Sequence, residues 1–396
     1  NPNNFAGVSV IMRYTLRLLT AQQFERAGRL IAALEFLNRR QNEIPTNKLF
    51  TETINWGDSK IPISIGMWVG GATTPNSLAD ARDELNDTTK SKKTLKSQIE
   101  EINKQKEIPK NADSIVNRFQ VSACPWCGCK TITKIPKTNK FAHAFSVNHS
   151  FEISCLNSKC EFSNKIPIDV VDESLYKQPP TLLFATVDKF AQISHKEEGN
   201  VFFNSLNGNL PPDLIIQDEL HLLNGPLGSI VGLYELIVEL LATKNNRKPK
   251  IIASTATTRN TQKQVENLYG NRKVNIFPPQ GITYDNNYFS FTDEKKTGQR
   301  LHIGFMPTGK TSVDTQVRAI IPNLLLARIL LYKTLKKQHG EKADELINNY
   351  WTITSYYNSL KDVGKIYNKV NDEIITGIRR LHEQFDINNP FYNFNH

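Results

Sequence analysis

An apolar run from Val8 to Met12, bounded by Gly7 and Arg13, predicts a buried strand. From Thr20, a candidate N-cap, the apolar positions Phe24, Ala27, Leu30, Ile31, Leu34 and Leu37 recur at helical spacing. A second strand is predicted over Ile61 to Val69, running into the turn-forming segment GGATTPN. Polar residues then take over. Ala79 to Lys110 is mostly Lys, Glu, Asp, Asn and Gln with sparse Leu and Ile, which predicts an exposed helical arm, either a solvated spacer or a contact for nucleic acid. After Pro179-Pro180, strand and helix patterns alternate through TLLFATVDKFAQI, PDLIIQDELHLL, SIVGLYELIVELLA and KIIASTATTRN. Such alternation predicts a mostly parallel, doubly wound α/β sheet covered on both faces, with Ala79 to Gln178 inserted into it. Farther on, IPNLLLARILLYKTLKKQ is an amphipathic helix, and YWTITSYYNSLKDVGKIYNKV predicts another strand and helix.

Composition adds a partner class. The 396 residues carry 49 Lys and Arg against 39 Asp and Glu, a formal net charge of +10, which favours a polyanionic partner if the charge is clustered. The sequence has no run of 18 apolar residues, so no membrane span is expected. The first residue is Asn1, and the opening dozen lack the basic-then-apolar order of a secretion signal; the expectation is a cytoplasmic protein whose natural start lies upstream.

Two sets of residues carry chemistry. Asp218 and Glu219 directly follow the apolar strand Leu214 to Ile216, and in parallel sheets ligands bind beyond the carboxyl ends of the strands. An acidic pair there suits Mg2+ at Asp218 and a water-activating base at Glu219; the plainer alternative is an acidic helix start favoured by the helix dipole. His221 is placed to link this site to its neighbour. Cys124-Pro-Trp-Cys127 and Cys155-x4-Cys160 supply four thiolates at spacings suited to structural Zn2+ in a ribbon. Cys129 is an alternative to Cys127, and free or redox-active thiols are the remaining reading. His143 and His149 lie between the pairs, His149 in polar, exposed surroundings.

The order D-E-x-H at Asp218 to His221, then Thr255-Ala256-Thr257 on the next strand, resembles superfamily 2 helicases and translocases. MRYTLRLLTAQQFERA, WVGGATTPN, ATVDKFA, DELHLLNGPLGSIVGLYE and GKTSVDTQVR narrow the resemblance to a bacterial group that includes the helicase component of DISARM-type phage defence systems. It covers nearly the whole chain apart from the polar arm. The resemblance implies an incomplete RecA-like sheet with an inserted arm and zinc ribbon, plus the start of a second RecA-like domain. The corresponding boundaries are 1–78 and 179–297 for the first RecA-like domain, 79–120 for the polar insertion, 121–178 for the ribbon, 298–345 for the interdomain connection and 346–396 for the second domain. It further implies ATP and Mg2+ at Asp218 and Glu219, coupling through Thr255 and Thr257, and nucleic-acid contacts, DNA rather than RNA, at Arg13, Arg17, Gln22, Thr74, Thr186 and Lys189. Defence-system proteins are the expected protein partners.

The expected P-loop would lie before Arg13, and none is there. Gly304 to Thr311 fits the P-loop letter pattern, but Pro307 removes a donor from a loop that must present N–H groups, and the segment follows the acidic motif. The preferred reading is a basic turn before an interdomain helix, with Lys310 and Arg318 free to meet nucleic acid. The alternatives are an NTPase that uses Lys310 and a non-catalytic zinc module that binds nucleic acid.

Overall fold

The computed structural model describes residues 7–15, 17–40, 61–86, 94–104, 117–135, 140–204, 210–256, 260–270, 272–279, 281, 283, 286–292, 302–306, 308–350 and 352–376. The chain divides into two compact units, Asn1–Pro279 and Gln280–His396.

In the first unit, β1 (Val10–Tyr14) leads into the helix α1 (Arg17–Arg39), and β2 (Ile65–Trp68) follows. The helix starts at Arg17, ahead of the expected cap at Thr20. After the insertion come β7 (Ile168–Asp169), α4 (Asp172–Lys177), β8 (Leu182–Thr186), α5 (Val187–Phe190), β9 (Leu214–Gln217), α6 (Gly225–Leu241), β10 (Lys250–Ala253) and α7 (Thr261–Leu268). Six of these strands form one sheet in the order β10-β9-β1-β8-β2-β7, with every pairing parallel. The expected doubly wound α/β sheet is therefore present. Its shortest member shifts a boundary: β7 pairs with β2, so residues 168–169 of the expected ribbon belong to the main sheet.

Side chains alternate along each strand, so one strand feeds two cores. Tyr14 and Phe184 stack with ring centroids 5.5 Å apart on the α1 face, and Phe24 of α1 meets Phe184 edge-on. Ile11, Leu183 and Ala185 point the other way, against Phe190, Val231 and Val238 under α5 and α6.

The described helices of the insertion are packed, which corrects the exposed arm for those residues. Its helices α2 (Leu78–Leu85) and α3 (Leu95–Lys104) bury Ala81, Leu85, Leu95 and Ile99 in the same core as α1. Ser77 caps α2 by accepting from the Asp80 amide at 3.0 Å while Asp80 accepts from the Ser77 amide. The few apolar residues of the polar stretch fall on one helical face, which is enough to dock it. Two short hairpins follow, β3 (Lys134–Ile135) with β4 (Lys140–Phe141) and β5 (His143–Phe145) with β6 (Phe151–Ile153). His143 is buried beside the Phe119 ring, which stacks in turn on Phe151, and burial holds its imidazole down at about 4.

In the second unit the regular elements among the described residues are helices, starting at Ser312. Thr311 caps α8 (Ser312–Thr315), which continues through a π-type turn, Gln316–Ile320, into α9 (Ile321–His339); α10 (Ala343–Ile347) and α11 (Leu360–Lys369) follow. Lys369 Nζ bridges back to Asp314 at 2.5 Å. The helix expected from SLKDVGKIY is present, started by the Ser359 cap. Thr352 to Tyr357 joins no ladder among the described residues, since a strand of a parallel sheet needs a partner strand beside it.

Candidate functional site

Asp218 and Glu219 follow β9, with β1 on one side and β10 on the other. The Asp218 amide donates to the Arg13 carbonyl at 2.9 Å, and the Leu220 amide donates to the Ser254 carbonyl at 2.9 Å. Both neighbouring strands thus fix the backbone that carries the acidic pair. Asp218 Oδ1 accepts from the Glu219 amide at 2.9 Å and from the Ser254 hydroxyl. Buried Gln217 donates from Nε2 to the Asp218 carbonyl at 2.9 Å, holding the turn from beneath. Glu219 itself sits at φ +52°, a left-handed conformation that costs a residue with a Cβ roughly 1 kcal/mol or more and collects at functional sites.

The His221 ring connects the acidic turn to the hydroxyl-rich segment after β10. Its Nδ1 lies 3.2 Å from Glu219 Oε2 and 3.4 Å from the Ala256 amide nitrogen. A protonated Nδ1 donates to the carboxylate, and an unprotonated one accepts from the amide; it cannot do both at once. Both side chains of the pair are about one third exposed, Glu219 at 33% and His221 at 30%, so the turn is open to a ligand. Asp218, Glu219 and Ser254 together present oxygen donors of the kind a hard divalent cation takes. Burial, then the nearby Asp218 charge, pushes the Tyr14 phenol up.

Thr255 is exposed and donates to the Ala256 carbonyl at 3.0 Å. Thr257 lies outside the described residues. Ser254, which the sequence reading passed over, is the hydroxyl that reaches the acidic pair; pairing β10 with β9 in register brings it there, with the Ser254 amide donating to the Gln217 carbonyl at 2.9 Å.

The expected nucleic-acid contacts are placed differently. Arg13 (0% exposed), Thr74, Thr186 and Lys189 (4%) all have interior side chains. Arg13 pairs with Glu235 of α6, and Lys189 Nζ pairs with Asp172 at 2.5 Å while lying over the Trp68 ring. Burial, opposed by Lys189, raises the Asp172 carboxyl to about 6. Arg13 and Lys189 thus tie elements of the first unit together from within, through Glu235 of α6 and Asp172 of α4. Arg17 and Gln22 belong to α1, but their side chains lie outside the described residues. Lys310 is exposed on a turn with Gly309 at φ +72°, and Thr311 donates to Asp314 at 2.7 Å as part of a helix cap.

The sulfurs of Cys124, Cys127, Cys155 and Cys160 all lie within 4.8 Å of one another. Cys124 and Cys160 are 3.9 Å apart and Cys127 and Cys155 are 3.4 Å apart. Tetrahedral zinc with bonds near 2.3 Å requires sulfurs about 3.8 Å apart, so the set fits that ion. The Asn157 and Phe162 amides point at the Cys155 and Cys160 sulfurs, at 3.4 and 3.5 Å, as donors that favour thiolate. Cys129 is outside the set and turns toward the Lys130 carbonyl, which settles the choice in favour of Cys127. Trp126, in the first knuckle, stacks on Phe36 of α1 at 4.7 Å.

The chain is similar to the DISARM protein DrmA of Bacillus paralicheniformis. The two are 30% identical over 430 aligned residues, which take in 98% of this chain and 34% of the relative. The chain therefore spans about a third of the length of the relative it matches. No family model matches it. Among the described residues, no helix is long and apolar enough to cross a membrane.

Proposed function

We propose that this chain is the central part of an ATP-driven helicase or translocase that acts on nucleic acid, DNA rather than RNA, in defence against phage. The observation that carries the reading is the acidic turn at the carboxyl end of β9, braced by β1 and β10, with Glu219 held in a left-handed conformation and linked through His221 to the segment after β10. Its similarity to a DISARM protein supports the defence role and partners drawn from such a system.

Bound Mg2+ and ATP would supply the phosphoanhydride to be cleaved and neutralise its charge. Asp218 would hold the metal, with one oxygen already oriented by Ser254 and the Glu219 amide. Glu219 would take the proton of the attacking water. His221 would then report the state of that carboxylate to Ala256, since its Nδ1 faces both groups. Thr255 and Thr257 would carry the message onward, and Zn2+ in the four-cysteine set would keep the inserted module folded against the sheet.

In the intact protein, Glu219→Gln is expected to retain ATP binding and lose hydrolysis, because an amide keeps the shape but accepts no proton. Asp218→Asn is expected to weaken Mg2+-dependent binding as well. Steady-state turnover beside equilibrium nucleotide binding separates the two. Full turnover by Glu219→Gln would reduce the turn to an acidic helix start and remove the motor reading.

A further inference from the structure

An excess of positive charge calls for a polyanion only where it is clustered on the surface. Arg13 and Lys189 do not supply such a surface, since both are interior and paired. The ribbon does. Residues 121–167 hold six lysines and two glutamates, a net +4 in a chain whose total is +10. Zinc with four thiolates would add two formal negative charges, which leaves that balance positive. Lys130, beside the first knuckle, and Lys159, in the second, are exposed, and neither forms an ion pair among the described residues. Glu161, next to the second knuckle, is already taken by Arg40 at 2.7 Å.

An aromatic ladder lies at the same knuckles. The Arg40 guanidinium is 4.6 Å from the centre of the Phe36 ring, Phe36 stacks on Trp126 at 4.7 Å, Trp126 meets Phe162 edge-on at 5.9 Å, and Arg39 lies over Phe162 at 5.0 Å. Trp126 is the middle rung and is 40% exposed. The Phe36 contact anchors the ribbon on α1, but an anchor alone gains most by burying the whole ring, and this indole keeps much of its area in water. Trp126 belongs to the first knuckle and Phe162 follows the second, and the four sulfurs lie within 4.8 Å of one another. The two loops are therefore side by side, and Lys130, Lys159 and the exposed indole share one small surface.

We propose that the knuckle surface centred on Trp126 binds single-stranded nucleic acid, an unpaired base stacking on the indole while Lys130 and Lys159 meet the flanking phosphates. The chemistry chooses this occupant. Every base has a π-face, so an exposed aromatic ring among cations holds a single strand whatever its sequence. A duplex keeps its bases stacked on one another and offers the ring little. The inference rests on the reading of nucleic acid as the substrate, and adds to it a contact outside the main sheet, carried by residues of the inserted module.

Binding of fluorescein-labelled oligothymidine to the intact protein, followed by anisotropy without nucleotide, tests it. Trp126→Leu keeps an apolar side chain against Phe36 but cannot stack on a base, and is expected to weaken binding by about tenfold while zinc content stays that of the parent. Lys130→Ala with Lys159→Ala is expected to lower the slope of log affinity against log salt by about 1.4, the loss of two phosphate contacts on a single strand. In the parent, photo-cross-linking to an oligonucleotide carrying bromodeoxyuridine is expected to mark the peptide that contains Trp126, a result that depends on no variant folding. Parent-like affinity in Trp126→Leu, an unchanged salt slope in the lysine variant, or cross-links confined to other peptides overturns the proposal. Parent-like binding by both variants would hand the ladder to a protein partner. If the parent itself binds no oligonucleotide, the reading of nucleic acid as substrate falls, and this proposal with it.

Discussion

Arg13 and Glu235, 222 residues apart in sequence, form an ion pair with both side chains inside the protein, the guanidinium also lying 5.5 Å from the centre of the Phe190 ring. The pair ties β1 to α6 across the layer beneath the acidic turn. A charge removed from water at such a site survives only with its partner.

Glu235→Ala should therefore destabilise the first unit by about 3–5 kcal/mol, because Arg13 would be left charged and unpaired. Replacing both residues together, Arg13→Met with Glu235→Leu, should cost far less. Urea denaturation of the two variants checks the difference; equal losses would mean that packing volume, not charge, is what the pair supplies.

Arg13, expected at a nucleic-acid contact, is instead wholly buried. Its place at the end of a strand is written in the Val8 to Met12 run, and the sheet and its parallel order follow from strands alternating with helices. The direction in which an end-of-strand side chain points is not. It depends on which helix packs there, and Glu235 is too distant in sequence to be paired with Arg13 by any local pattern. Lys189 and Asp172 show the same limit. The acidic turn and the four thiolates were legible because each is a short, local spacing; Ser254 was missed because only strand register brings it to Asp218. The polar insertion misled by composition, since four apolar residues on two helices suffice to dock a segment that reads as solvated.

Purified protein should contain about one equivalent of zinc. Cys124→Ser should lose the metal and lower thermal stability, and Cys129→Ser should retain both, because its sulfur lies outside the set. Metal analysis of the three proteins decides; zinc lost equally from Cys129→Ser would redraw the ligands.

Strain at Glu219 has a measurable cost. Glu219→Gly should raise the stability of the first unit by about 1 kcal/mol, since glycine accepts a positive φ without a Cβ clash, while abolishing turnover in the intact protein. Loss of stability instead would show that the contact with His221 outweighs the strain.

Burial raises the Asp169 carboxyl to about 7, against the opposing Val171 amide and Lys165. A folded-state value above the ordinary one means that the folded chain keeps a proton the unfolded chain releases above about pH 4. Stability from this group is full at low pH and is lost as pH rises from about 4 to 7. At saturating zinc, Tm between pH 5.5 and 7.5 should fall less steeply in Asp169→Asn than in the parent.

The cysteines share their core with the sheet: Cys124, Cys155 and Cys160 lie in the same buried cluster as Tyr14, Phe24 and Phe184. A metal held there is not the rivet of a detachable appendage. Its binding free energy is linked to the folding of the whole unit, so that each tenfold rise in free zinc above its dissociation constant adds about 1.4 kcal/mol to the folded state. Zinc held there would therefore bear on the stability of the sheet that carries the acidic turn, and not on that of the insertion alone.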